Sequence, residues 1–92
     1  SLPRESLTEL MHWLRLVSRE MMALKMGAKD AQLQVPMYKT QLLRLLPRWS
    51  MQALAKVITE TLQAERALRL HIKTALVVDG LCIALHDARE ED

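Results

Sequence analysis

The chain has 92 residues, half of them hydrophobic, with a formal net charge of +2; that supports one globular domain and excludes an intrinsically disordered chain. One cysteine, Cys82, excludes an internal disulfide, and its place in an apolar run predicts a buried thiol in a reducing compartment. No stretch reaches the roughly 18 apolar residues of a membrane span, and Leu2-Pro3-Arg4-Glu5 lacks the apolar core of a signal peptide. The expectation is a cytoplasmic protein with no membrane contact.

The first predicted element is a helix opened by Ser6 and Glu9, which have capping-box spacing. Leu7, Leu10, Leu14, Val17, Met21 and Leu24 recur at three- and four-residue steps and share a face. Met11, Trp13, Leu16 and Met22 widen that face, so the helix wants neighbours on two sides. Gly27 is the natural terminator, since it adopts φ > 0 without a Cβ clash, and Lys25 suits the negative end of the helix dipole.

Residues 28–36 read as a connector, because Pro36 disfavours helix at Val35. A short second helix is predicted from Met37 to Leu46, presenting Leu42, Leu43, Leu45 and Leu46, with Pro47 ending or kinking it. Ser50 predicts the cap of a third helix, with Leu54, Val57, Ile58, Thr61, Leu62, Ala64 and Leu68 as its apolar stripe; a Lys56–Glu60 pair would add little. The pattern breaks at His71-Ile72-Lys73. Thr74 is placed as the cap of a fourth helix, Ala75 to about His86, which is apolar nearly all round. Such a helix either runs through the middle of the domain or covers a subunit contact. After Asp87 an acidic tail is expected to fray. The fold class is therefore all-α, a small bundle of about four to five helices, with residues 1–92 as a single domain.

Charge is unevenly placed. From residue 31 to 74, Lys39, Arg44, Arg48, Lys56, Arg66, Arg69 and Lys73 face only Glu60 and Glu65; beyond residue 75, Arg89 faces Asp79, Asp87, Glu90, Glu91 and Asp92. A basic middle suits nucleic acid, an acidic protein surface, or solvent. Chemistry is harder to find. Gly27 and Gly80 are isolated, so no phosphate-binding loop is encoded and no cofactor is expected. Cys82 and His86 lie one turn apart, but two ligands do not make a zinc site. His12, His71 and His86 fall on different elements with no nucleophile beside them, so neither a catalytic site nor a small-molecule substrate is expected. Asp79 interrupts the last apolar run, facing solvent or reaching an arginine of a neighbouring helix or subunit. Gly80 costs a helix about 1 kcal/mol relative to Ala, which close packing of another helix would explain. The six methionines fill a core or line an adaptable groove. Trp13 and Trp49 are core residues or interface anchors.

The stretch from Arg19 to Ala28, Arg-Glu-Met-Met-Ala-Leu-Lys-Met-Gly-Ala, resembles the Arg-Asp-Leu-Leu-x-Leu-Lys-x-Gly-Ala segment of clamp-loader delta-prime subunits of bacterial DNA polymerase III. Trp49-Ser50 followed by Leu54 is similar to that family's Leu-Ser helix start. Arg66 and Leu68 match the end of the same helix. Leu76, Leu81, Cys82, Ile83 and Leu85 fall in its Leu-rich last helix, and Asp79 falls at a frequent acid. His71 and Lys73 stand where the family often has Asn, Thr74 where it often has Pro, and an Asn-x-Asp near residues 35–37 is absent. Pro36-x-Tyr38-Lys39, Arg48-Trp49-Ser50 and Glu65-x-x-Leu68-Arg69 are similar to the delta subunit, and gamma/tau has a related domain, so the particular subunit stays open.

The resemblance implies a C-terminal collar domain within a larger AAA+ subunit. Its partners would be the other subunits of a heteropentamer. The sliding clamp and DNA would be reached only through the parent complex, whose clamp-loading ATPase lies elsewhere. Arg44, Arg48, Arg66 and Arg69 are the candidate subunit contacts, chosen for charge and expected exposure. The rival expectations are a basic helical nucleic-acid-binding domain and a helical adaptor that captures an amphipathic helix in a methionine-lined groove.

Overall fold

The computed structural model describes residues 3–90. Four α-helices run in order: α1 (Arg4–Lys25), α2 (Lys39–Leu45), α3 (Met51–Arg69) and α4 (Thr74–Glu90). Short 3₁₀ turns at Asp30–Gln32, Pro36–Tyr38 and Leu46–Arg48 join the first three. No strand occurs among the described residues, and the domain is all-α as expected.

Three long helices make the bundle. Leu7 and Met11 near the start of α1 cluster with Ala64 and Leu68 late in α3 and with Val77 early in α4. Met21 and Leu24 near the end of α1 cluster with Leu54 early in α3 and with Leu33 and Leu42 of the intervening segment. So α3 runs antiparallel to α1, and α4 returns parallel to it. Each buried Leu or Met contributes about 1.5–3 kcal/mol.

The termini follow local chemistry, with two corrections. Ser6 and Glu9 form no capping box: α1 starts one turn early, with Pro3 in the cap position and the Pro3 carbonyl accepting from Leu7 N at 3.1 Å. The Arg4 guanidinium donates to the Leu68 carbonyl near the end of α3, which fastens that extra turn. At the other end Gly27 has φ +84°, Ala28 N donates to Ala23 O at 2.9 Å and Gly27 N to Leu24 O at 3.1 Å, a complete Schellman closure. Ser50 caps α3, its Oγ accepting from Ala53 N at 2.9 Å. α3 closes in the same way as α1, with His71 at φ +60° in place of a glycine, His71 N donating to Leu68 O and Ile72 N to Ala67 O. Thr74 is the first residue of α4 rather than its cap; the Lys73 carbonyl accepts the first helical bond, from Val77 N at 3.1 Å.

Pro36 and Pro47 hold the second helix to seven residues by tightening its flanks into 3₁₀ turns. Of the four leucines expected to be presented here, only Leu42 is buried; Leu43 and Leu45 are exposed, and Leu46, half-buried, falls in the 3₁₀ turn after the helix. In α3 the stripe Leu54, Val57, Thr61, Ala64 and Leu68 is buried, whereas Leu62 is exposed. Thr61 is tolerated there because its hydroxyl donates back to Val57 O at 2.8 Å.

α4 departs most from expectation. It continues to Glu90 instead of fraying after Asp87, with Ala88 buried in its last turn; Glu91 and Asp92 lie outside the described residues. It does not run through the middle of the domain. Only Val77 and Ala88 are buried, while Leu76 and Ile83 are each 63% exposed. Cys82 is exposed rather than a buried thiol, and Asp79 faces solvent. Among the described residues no other helix comes within 4 Å of where a Cβ on Gly80 would stand, so the close packing expected there is not made by them. The physical reason is common to all of these: α4 lies against the bundle on one side, and no element among the described residues covers the other.

Candidate functional site

Four polar residues are buried in the bundle, Arg15, Ser18 and Glu20 of α1 and Thr61 of α3, and on one flank Arg15 joins the two helices. Arg15, projecting from α1, is buried, and its Nη2 donates to Glu65 Oε1 on α3 at 2.6 Å. Arg69, one turn beyond Glu65, donates to its other oxygen at 2.9 Å, and His12 Nε2 lies 3.2 Å from Oε1. The hydrogen bond from Arg15 holds the Glu65 carboxyl below its usual range; partial burial opposes this, and the charges of Arg15, His12 and Arg69 add to it. Arg15 Nη1 is buried without a partner. One carboxylate facing two guanidiniums and an imidazole ties the two helices together.

A second carboxylate fixes the connector. Glu20 is buried, and its Oε1 accepts from Gln34 N at 2.5 Å and Val35 N at 2.7 Å. It satisfies two backbone donors where Pro36 prevents a helix from doing so. Neither Glu20 nor the Arg15–Glu65 pair was foreseen from the sequence. A charge flanked by Met11, Ser18 and Met21 on a periodic face was the available signal.

The opposite flank is apolar and open. Helices α1 and α4 splay over α3 and leave a groove of about 340 Å³, lined by Leu14, Val17 and Met21 of α1, Leu54 and Val57 of α3, and Leu85 of α4. Leu10 and Trp13 extend the apolar surface along α1 and are about half exposed. The expected two-sided character of α1 is therefore present: one side packs on α3, and the other has no helix over it among the described residues. At one end the groove passes Trp49 and Arg89 into a mouth lined by Lys25, Arg48, Ser50 and Glu90.

The four candidate arginines are all exposed but are not brought together. Arg44 and Arg48 sit on α2 and the turn that precedes α3; Arg66 and Arg69 sit in the last turns of α3, roughly 25 Å away along its axis. Arg69 is already engaged by Glu65. The four arginines thus form two separate groups rather than one face. Trp49 is half-buried at the groove end. Met11 and Met21 serve the core, and Met26, Met37 and Met51 are exposed.

Among the described residues no three His, Cys, Asp or Glu side chains converge as metal ligands, and no helix is long and apolar enough to cross a membrane. No protein-family model matches the chain, and no curated protein and no solved structure matches it.

Proposed function

We propose that this chain is a subunit-association domain, the C-terminal collar of a bacterial DNA polymerase III clamp-loader subunit, with delta-prime first and delta or gamma/tau as the alternatives. The observation that carries the reading is the second apolar face of α1. Leu10, Trp13, Leu14 and Val17 recur at helical spacing; Leu14 and Val17 are half-buried, but Leu10 and Trp13 remain about half exposed, and no helix among the described residues covers them. The resemblance of residues 19–28 to the delta-prime segment supplies the family. On this reading the domain works in the cytoplasm, holds subunits of a heteropentamer together and hydrolyses nothing itself. Contact with the sliding clamp and DNA belongs to the parent complex.

The test is assembly. Mixed with folded clamp-loader subunits that carry their own collar domains, the chain should sediment as a hetero-oligomer. Reversing Arg44, Arg48 or Arg66 to Glu should weaken that assembly, and Arg69→Glu should in addition cost stability, because it places a second acid beside Glu65. If the arginine variants assemble unchanged, those residues have no part in the interface. If no clamp-loader subunit associates with the chain, the reading is wrong.

A further inference from the structure

We infer that the groove between α1 and α4 takes a single helix of a partner protein, running antiparallel to both, with acidic side chains in its first turn at the Lys25–Arg48–Arg89 mouth. The inference rests on the assembly reading of that groove and adds the form, direction and charge of the occupant.

The directions of the helices carry the first step. α1 ends at Lys25 and α4 runs to Glu90, and both ends meet at the mouth where α3 begins with Ser50. The C-terminal end of a helix carries the negative pole of its dipole, so α1 and α4 together present negative poles there. A helix entering with its N-terminus at the mouth places its positive pole against them. It would run parallel to α3 and occupy the vacant fourth position of an up-down-up-down bundle.

The lining residues carry the second step. Along its length the groove has half-buried walls, Leu14 and Val17 on one side and Leu85 on the other, over a floor of buried Met21, Leu54 and Val57. That surface accepts apolar side chains at i, i+4 and i+7, which is helix-in-groove recognition. Apart from His86 in the groove wall, the ionisable lining residues gather at the mouth, where Lys25, Arg48 and Arg89 are all exposed and Glu90 is the one acid among the described lining residues. Acidic residues are favoured in the first turn of any helix, since they face its exposed backbone N–H groups. In this position they also meet three cations. A nucleic-acid strand needs cations spaced along its path, and the apolar walls do not provide them.

Two stapled helical peptides of about 18 residues, ~27 Å long, test the inference. They share one composition and a Leu stripe; one carries two Glu in its first turn, the other in its last. The peptide with first-turn Glu should bind the chain about tenfold more tightly by fluorescence anisotropy. That preference should disappear in Lys25→Glu/Arg89→Glu and shrink in Arg48→Glu, with each variant melting cooperatively. Equal binding of both peptides, a preference that survives the charge reversals, or binding of neither peptide overturns the inference. If the chain still assembles with clamp-loader subunits in any of those cases, the failure is confined to the occupant's direction and charge; if assembly fails as well, the reading of the groove as an assembly site fails with it.

Discussion

Glu65 is the residue on which the α1–α3 contact depends. Arg15 lies in the interior and takes its ion pair from a side chain 50 positions away. Replacing Glu65 by Gln leaves the Arg15 charge buried without an opposite charge, and urea denaturation at neutral pH should show a loss of about 3 kcal/mol. The double change Arg15→Met with Glu65→Met should recover most of it, because a buried ion pair is replaceable by apolar packing of similar volume. The pH dependence has a definite sign. The folded-state value of Glu65 lies below the ordinary 4.5, so the unfolded chain takes up this proton first as pH falls. The stabilisation is present above the ordinary value and is lost as pH drops through the lowered one. Glu65→Gln should remove that share of the acid destabilisation. Glu20→Ala should cost about 2 kcal/mol, since two buried backbone donors lose a charged acceptor.

Helix ends belong to the scale of the element. Ser50→Ala removes the hydroxyl that caps α3 and should lower stability by about 1 kcal/mol in thermal or urea melts. His71 holds a left-handed conformation that glycine adopts without strain, so His71→Gly should stabilise by about 0.5 kcal/mol. Gly27 and Ser50 were readable in advance because cap geometry involves residues within one turn. Ser6 was misleading for a tertiary reason: Arg4 reaches the end of α3 and secures an extra turn that no local pattern announces. His71 was read only as a break in the pattern, since nothing in its side chain marks a left-handed residue.

The backbone spans 40 × 27 × 18 Å, and its short dimension holds two layers of helices and no third. A slab so thin leaves one side of α1 and one side of α4 uncovered. Core and surface methods therefore separate two residues of one apolar helix. Met11→Ala should cost about 3 kcal/mol by cavity formation, whereas Trp13→Ala, half exposed, should cost less than about 1 kcal/mol and weaken assembly instead. Calorimetry and sedimentation on the same two variants check both halves of that statement. The groove itself was visible only as an excess of apolar residues on α1; its place, between α1 and α4, depends on the angle at which α4 leaves α3.

Helix number, the capping of α3, the closure of α1 at Gly27 and the two apolar sides of α1 were all determined by the sequence alone, because each arises from interactions within about four residues. Tertiary structure decided which of those two sides is buried, that α4 lies at the surface with Leu76, Ile83 and Cys82 exposed, and that Arg15 meets Glu65. Periodicity records that a face is apolar; whether anything covers it depends on how many helices the chain has and the directions in which they return.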